Sequence, residues 1–496
     1  MEIFAFGPLQ IMMSLLGVVI GVVFGSLPGM TATMAIAIFL PLTYAYSLTT
    51  SLFLLLGLYV GGISGGLIPA ILLNIPGTPS SICTGFDGFP MAKRGEGLRA
   101  LRIGITASLV GGLISLASLW FFTPPLARLA INFSAIEKFL IIVFALTIIA
   151  ALSKGSMIKG IFAGFAGVLI SLIGQFADNN TMRMVPKLFR VDLRMGFQLL
   201  PVLIGLFALV QIFQEAETGI KEEHQDIDLN HETRKFSFKD FKGQGFNLIR
   251  SGLIGTFVGV LPGVGGSAAS LLSYSQAKSM SKHPEKFGTG YIGGLVASEG
   301  ANNGLTGGAL IPLLSLGIPG DSTTAVLIGA FMLQGIQVGP LFITNNPDIW
   351  KTILVAMGVA NIFMYIVMFY PIKYIVKVIN FPKARIYPVI ILLCTVGSYA
   401  TQNGNMFDVW AMLFFGVVGY FFAKFKYSIP SFLIGFILGS DLEKYFVDSI
   451  KGSGGDLMTF FSRPIGNGIW VLIVISLAYA FYDEWKTKRL ARKAKK

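Results

Sequence analysis

Apolar runs punctuate the chain at about 9–24, 30–46, 52–73, 103–122, 137–152, 160–177 and 196–213. A charged stretch follows at 214–246. Beyond it, further runs cover 247–261, 264–277, 288–317, 322–335, 352–372, 386–400, 406–423, 430–450 and 466–482. Several approach the roughly 20 residues that a membrane-crossing helix needs, and others are visibly short. The pattern predicts an all-α polytopic membrane protein with about 10–12 spans plus hairpins of broken or re-entrant helices.

The two sides of the charged stretch repeat one another. Gly21-Val-Val-Phe-Gly25-Ser-Leu27-Pro28-Gly29 stands 234 residues before Gly255-Thr-Phe-Val-Gly259-Val-Leu261-Pro262-Gly263. Gly65-Gly-Leu-Ile-Pro69-Ala-Ile-Leu-Leu-Asn74-Ile-Pro76-Gly77 stands 243 before Gly308-Ala-Leu-Ile-Pro312-Leu-Leu-Ser-Leu-Gly317-Ile-Pro319-Gly320, with eight of thirteen positions identical. The expected organisation is a first repeat over 1–213, a cytoplasmic linker over 214–246 and a second repeat over 247–465. An extra helix with a basic cytoplasmic tail then fills 466–496.

Loop charge sets the orientation of the copies. Residues 93–102 carry four basic side chains and their counterpart 336–350 none, whereas 44–51 has none and its counterpart 278–286 has Lys278, Lys282 and Lys286. The copies are therefore expected to be inverted, each hairpin (9–46 and 247–277) pointing its Leu-Pro-Gly turn into the membrane. Positive-inside topology places 93–102, 153–159, 214–246, 278–286, 373–385, 424–428 and the C-terminal tail in the cytoplasm, with 27 of the 38 Lys and Arg. The basic loop 178–195 breaks the rule and is expected outside, as a contact surface for a partner.

Composition agrees. Hydrophobic residues make up 54% and charged ones 13%, against about 25% charged in soluble domains. Mean hydropathy is +0.72. Membrane topology accounts for the net charge of +13, so nucleic acid is not an expected partner. Cys83 and Cys394 are too far apart in sequence for a disulfide framework to be argued. The Met1-Glu2 start lacks a basic leader, so the first apolar run is expected to remain in place.

Proline and glycine side by side stop a helix and free its backbone groups. Broken helices at matching positions of inverted repeats are the pattern of secondary transporters, with N-termini holding anions and freed carbonyls holding Na⁺. The expected anion site therefore comprises Pro28, Gly29, Thr31, Gly77, Thr78, Ser80, Pro262, Gly263, Gly320, Asp321, Ser322 and Thr323. Thr33, Ser81, Thr84, Gly265, Gly266, Ser267 and Thr324 stand nearby. Ser298, Glu299, Asn302 and Asn303, polar groups in an apolar run, are the candidate ion ligands. Any one of these is equally readable as a helix cap, but packing kinks need not recur in symmetric pairs.

Other chemistries are disfavoured. Gly62-Ile-Ser64-Gly65 matches an intramembrane serine protease string, but His224, His231 and His283 all sit in loops, leaving no base. His224 and His231 have no zinc spacing, and there is no Walker-type loop. Neither catalysis nor a resident cofactor is expected. A passive channel or a scaffold is the rival to a transporter.

The ordered set Gly25-x-Leu-Pro-Gly29, Asn74-Ile-Pro-Gly-Thr-Pro, Asp87-Gly-Phe-Pro-Met-Ala-Lys93, Leu-Pro-Gly263, Ser281-Lys-x-Pro-Glu-Lys-Phe-Gly288, Ala301-Asn-Asn303 and Leu316-Gly-Ile-Pro-Gly320 resembles the large membrane subunit of the tripartite tricarboxylate transporters. The likeness covers nearly the whole chain. It implies a bacterial inner-membrane permease importing citrate-like or other organic carboxylates with Na⁺ or H⁺. It also implies a small membrane subunit and a periplasmic solute-binding protein as partners. Ala277 and Gly293 depart from the family pattern, which has glutamates there.

Overall fold

Bare backbone N–H and C=O groups are too costly in hydrocarbon, so a chain this apolar folds as helices. The structure is a computed structural model describing residues 6–151, 157–176, 181–219, 233–380, 382–401 and 404–494. Its helices are α1 (Pro8–Ser26), α2 (Ala32–Phe39), α3 (Leu48–Gly65), α4 (Leu67–Leu73), α5 (Ile82–Met91), α6 (Gly97–Ile131) and α7 (Ala135–Ala151). Next come α8 (Met157–Ser171), α9 (Leu199–Ile204), α10 (Val210–Thr218), α11 (Gly245–Val260), α12 (Gly265–Met280), α13 (Ile292–Leu316) and α14 (Ser322–Leu333). The last are α15 (Phe342–Asn345), α16 (Pro347–Phe369), α17 (Ile372–Ile375), α18 (Lys383–Ala400), α19 (Met406–Lys424), α20 (Ile429–Gly452) and α21 (Pro464–Ala494). The strands β1 (Gly174–Gln175) and β2 (Met182–Arg183) form one small antiparallel pair.

Among the described residues, six helical runs are long and apolar enough to cross a membrane: Pro8–Ser26, Leu48–Leu73, Pro79–Ile131, Leu199–Thr218, Pro347–Phe369 and Met406–Lys424. Ile372–Ile379 with Ala384–Ala400 makes a broken seventh. The shorter apolar helices include Ala32–Ala45, Gly245–Val260 and Ser322–Leu333, the expected hairpin and broken-helix positions. The protein is an all-α polytopic membrane protein. Its two compact units do not coincide with the two repeats. One unit takes 1–127 and 214–397, the other 128–213 and 398–496, so each draws on both halves of the sequence.

Within the first unit, glycines set the spacing. Gly17, Gly21 and Gly25 lie four residues apart on one face of α1, and a Cβ on them would press into the carbonyl oxygens of Leu54, Leu58 and Gly62 on α3. The partner residue numbers rise together, so α1 and α3 run parallel, and α2 must run back between them. The second copy repeats this: Gly255 and Gly259 of α11 abut the Ala301 and Leu305 carbonyls of α13. Close backbone approach between small residues supplies packing that hydrophobicity cannot supply inside a membrane.

The breaks are duplicated bond for bond. Asn74 (φ 57°) ends α4 and Gly317 (φ 76°) ends α13. Ile75 N–H donates to the Pro69 carbonyl and Ile318 N–H to the Pro312 carbonyl, each at 3.3 Å and each reaching back six residues across the left-handed residue. Asn tolerates this left-handed position almost alone among non-glycine residues. The Leu-Pro-Gly turns match too, with Gly29 at φ 91° and Gly263 at φ 77°.

The loops pair as their charges predict. The Arg94 guanidinium donates to the carbonyls of Thr289 and Gly290, joining the first basic loop to the segment that follows the second. Gln334 Nε2 donates to the Thr43 carbonyl at 3.1 Å, joining the two regions without basic charge. Equivalent helices of the two copies thus point opposite ways. The end of the charged linker is pinned at the basic end: Asp240 binds Arg99 at 2.8 Å and Thr233 N–H donates to the Gly95 carbonyl at 3.2 Å. Burial alone would raise the Asp240 carboxyl. The hydrogen bonds from Arg99 and the Ser237 N–H outweigh it and leave its pKa below the usual carboxylate value. The rest of the 214–246 stretch, 220–232, lies outside the described residues, as do His224 and His231.

In the second unit, Ala163, Val202, Leu206, Phe415, Phe432 and Phe436 form a buried apolar cluster. The basic loop at 178–195 is partly internally matched: Arg183 pairs bidentately with Glu443 at 2.5 and 2.9 Å and lies over the Phe176 ring at 4.4 Å. These residues border a cavity of about 480 Å³.

If glycine contacts set the α1–α3 spacing, Gly25→Val drives a side chain into the Gly62 carbonyl and costs about 1–3 kcal/mol or more. Gly468→Val, at a position with nothing within 4 Å of an added Cβ, is nearly neutral. Thermal unfolding of the two variants in detergent checks this, and equal melting temperatures would overturn it.

Candidate functional site

Each copy brings its hairpin tip against its own break. A Cβ on Gly77 would meet the Gly25 carbonyl, and one on Gly320 the Gly259 carbonyl. Side-chain caps then restart the helices. Thr78 N–H donates to Ser81 Oγ at 3.3 Å, and the equivalent Asp321 N–H donates to Thr324 Oγ1 at 2.9 Å. Thr324 N–H returns a 2.7 Å bond to Asp321 Oδ1. Thr31 caps α2, accepting from the Met34 N–H at 3.1 Å.

Across the copies, tips meet breaks in two equivalent places. Thr33 Oγ1 lies 2.8 Å from Thr323 Oγ1 and 3.5 Å from Ser322 Oγ. Ser267, the counterpart of Thr33, donates to the Pro79 carbonyl at 2.8 Å, beside Ser80, the counterpart of Thr323. The N-terminus of α2 therefore faces that of α14, and the N-terminus of α12 faces the turn that begins the α5 run. Each helix N-terminus carries about half a positive charge. Two such ends in contact repel unless an anion lies between them.

The two places differ in that charge. At α14 the Asp321 carboxylate is built in and fully engaged, Oδ1 by Thr324 and Oδ2 by Tyr59 Oη at 3.1 Å. At α5 the equivalent residue is Thr78, which is neutral, and its hydroxyl lies 3.0 Å from Ser80 Oγ. The α5–α12 place carries no such built-in charge.

Next to it stands the polar stretch of α13. Glu299 is fully buried, with Ser108 Oγ donating to Oε2 at 2.8 Å and Thr84 Oγ1 donating to Oε1. Ser64 Oγ donates to Asn303 Oδ1 at 2.6 Å. Asn302 Nδ2 faces the Ile63 carbonyl at 3.5 Å, while Asn302 Oδ1 and Asn303 Nδ2 are buried without partners. The Ser298 hydroxyl is spent on the Leu295 carbonyl at 3.1 Å. Hydroxyls, amides and one carboxylate without a basic neighbour suit a small anion together with a cation. Among the described residues no cluster of three or more His, Cys, Asp or Glu forms a metal site.

The sequence pattern of the Tripartite tricarboxylate transporter TctA family matches residues 11–434. The chain belongs to this family. It is 33% identical over 486 residues, 98% of this chain and 96% of the relative, to an uncharacterised 52.8 kDa protein in the TAR-I ttuC′ 3′ region of Agrobacterium vitis. A second protein, in the TAR-II ttuC′ 3′ region of the same organism, is 36% identical over 235 residues, 47% of this chain and 97% of its own length. No solved structure matches. As a TctA-family member the chain is a transporter's membrane permease subunit.

The structure brings together Thr78, Ser80 and Ser267 at one place and Asp321, Ser322, Thr323 and Thr33 at the other. Pro28 and Gly29 at the first tip are half-buried and exposed, and Pro262 and Gly263 at the second are buried and half-buried. Tyr59 and Ser108 lie outside the residues named from the sequence, whereas Thr84, expected near the anion site, binds Glu299. Tyr59 was reachable, being the counterpart of Asn302 at the same 243-residue offset. Asp87 is no substrate group. Its Oδ1 accepts from the N–H groups of Gly288, Gly290 and Tyr291 at 2.7–2.9 Å and its Oδ2 from Tyr274 at 2.9 Å, so it clasps the loop into α13. Ala277 packs with Cys83, Tyr274 and Phe287. Gly293 offers its carbonyl to Asn247 at 2.9 Å.

The cap logic gives an exchange test. Asp321→Ala removes the cap of α14 and the Tyr59 acceptor, and should cost about 1–2 kcal/mol. Asp321→Thr, the residue the other copy uses, should recover at least half of that. Denaturant unfolding in detergent reads the difference; an alanine variant as stable as the threonine one would refute the cap role.

Proposed function

We propose that this permease imports citrate-like or other organic carboxylates across the bacterial inner membrane, driven by Na⁺ or H⁺. A periplasmic solute-binding protein delivers the substrate and a small membrane subunit completes the assembly. The observation that carries the reading is the pair of facing helix N-termini, one already supplied with the Asp321 carboxylate and the other, at Thr78, Ser80 and Ser267, without one. A substrate carboxylate at the second place accepts from hydroxyls and freed N–H groups and neutralises both helix ends. Gly77, Gly263 and Gly320 keep the tips close enough for this, and Glu299, Asn302 and Asn303 hold the ion region beside it. Inverted copies let the two places exchange exposure between the faces of the membrane.

Uptake of labelled citrate into proteoliposomes, with the partner subunits present and with or without a Na⁺ or proton gradient, tests the reading. Accumulation above the outside concentration supports it. Transport that only equilibrates under every gradient means a channel. Ser267→Ala should raise the half-saturating citrate concentration about tenfold or more, a hydrogen bond to a charged group contributing about 1.5–3 kcal/mol.

The sidedness is tested separately, the native Cys83 and Cys394 both being buried. Cysteines placed at the exposed Ser47 and Asn345 should react with an impermeant thiol reagent from the periplasmic side. Those at Lys93 and Lys282 should react only from the cytoplasm. Labelling of Lys93 and Asn345 from one side would overturn the assignment.

A further inference from the structure

Residues 187–195, in the loop whose charge runs against the expected topology, wind as short helical turns with two unlike sides. Leu193 N–H donates to the Phe189 carbonyl at 2.9 Å, so positions three or four apart share a face. The inner side is fixed to the protein. Leu193 is buried, the Phe189 ring lies 5.6 Å from that of Phe407, and Asn405 Nδ2 donates to Asp192 Oδ1 at 3.3 Å. The outer side carries two neighbouring stripes. Leu188, Val191 and Met195 are 83%, 87% and 75% exposed, and Lys187, Arg190 and Arg194 beside them are exposed too. Arg194 Nε keeps one contact inward, donating to Gln175 Oε1 at 3.3 Å. The anchors fix the depth of the segment. Asn405 caps the span Met406–Lys424, and the span Leu199–Thr218 begins just past Met195, so the segment sits where two helices enter the membrane. At the other end of α8, Lys159 donates to the Phe425 carbonyl at 2.6 Å, joining two loops expected in the cytoplasm. The segment therefore lies at the end expected to face the periplasm.

We propose that residues 187–195 bind anionic phospholipid at the membrane surface, with Lys187, Arg190 and Arg194 on headgroup phosphates and Leu188, Val191 and Met195 in the acyl boundary. A basic stripe beside a bulky apolar one is the composition of a segment lying in the interface, and its charge complements the phosphates. A protein docking from water would have to displace lipid to reach apolar side chains at this depth. Lipid already stands there. The binding also gives the misplaced charges a use, since Arg183 pairs with Glu443 and the other three basic residues of the loop face the headgroups. It replaces the protein contact expected for this loop and stands apart from the transport reading.

Two readouts on the purified full chain test it. In detergent, thermal unfolding is followed against added phosphatidylglycerol or phosphatidylcholine, a bound lipid stabilising the folded state by mass action. The parent should melt higher with phosphatidylglycerol, and free glycerol phosphate should not substitute. The double variant Lys187→Gln, Arg190→Gln should raise the half-effective phosphatidylglycerol concentration about fivefold for each charge removed, a basic residue near an anionic surface contributing about 1 kcal/mol. Lys351→Gln, whose charge is already met by Asp348 at 3.2 Å, should behave as the parent. In nanodiscs, a fluorophore on Val191→Cys, the native Cys83 and Cys394 being buried, should be quenched by lipid spin-labelled high on its acyl chain. Variants are compared only if they elute as the parent does, and Lys187→Gln alone replaces a double variant that fails. A parent without preference for phosphatidylglycerol, or a charge variant that keeps the preference in full, overturns the binding. A fluorophore that the spin label leaves bright places the stripe in water and overturns it too; shielding by an added solute-binding protein would then make the stripe a protein contact.

Discussion

The contact on which the rest depends is the glycine of each Ile-Pro-Gly break seated on a carbonyl of its own hairpin. Gly77 lies against Gly25 and Gly320 against Gly259, with no room for a side chain at either. Because α1 and α3, and likewise α11 and α13, approach through glycines along their length, the backbone of the tip reaches the backbone of the break. Only then do the restarting helices present their N-termini to the other copy. A single bulky residue in either glycine row would separate tip from break and dissolve both meeting places together. Inside a membrane, where apolar side chains gain little by leaving lipid, this close packing is the main force available to hold broken helices in register.

Duplication explains the shared frame, and divergence explains the chemistry. The left-handed helix ends, the caps and the positive-φ turns recur at offsets of 234 or 243 residues, so the backbone is conserved between copies. The side chains at the meeting places are not. Asp321 faces Tyr59 in one, while Thr78 and Asn302 take those positions in the other. One place therefore carries a built-in carboxylate and the other does not. The clasp of Asp87 on 288–291 is likewise one-sided, since its counterpart is Ala330. The equivalent approach at the opposite end is a single bond from Gln334 to Thr43.

Much of this was legible in the sequence because glycine and proline act through the backbone, where a residue type fixes a conformation. Gly29, Gly263 and the Ile-Pro-Gly repeats announce turns and breaks whatever surrounds them. The antiparallel relation of the copies was legible in loop charge for a similar reason, the rule depending on count and not on contact. Ser108 was not legible, because a single polar residue in an apolar run says nothing of which helix faces it; Thr84 was legible near the anion site but not as a partner of Glu299, and Tyr59 was reachable only through its counterpart Asn302. The interleaving of the two halves into two compact units was hidden as well, since sequence order carries no sign of which helices exchange neighbours. Arg183 shows the limit of charge counting: it stands in an apparently misplaced basic loop, yet its charge is met by Glu443, some 260 residues away.

The divergence between copies also supplies a reason for coupling. On the reading proposed here, a lone cation beside Glu299 meets the nearby positive ends of α5 and α12, and a lone carboxylate at Ser80 meets the field of Glu299. Each is disfavoured by charges that the other would neutralise. Two unit charges about 4 Å apart at an effective dielectric of about 20 attract by about 4 kcal/mol. Coupling between linked sites is typically about 1–3 kcal/mol, so partial screening of that attraction is enough to make each ligand a poor occupant without the other. The built-in carboxylate of Asp321 cannot play this part, since it never leaves. On that reading, a fixed anion in one copy and none in the other tie carboxylate and cation to a single place, and cotransport follows from electrostatics without a long-range signal.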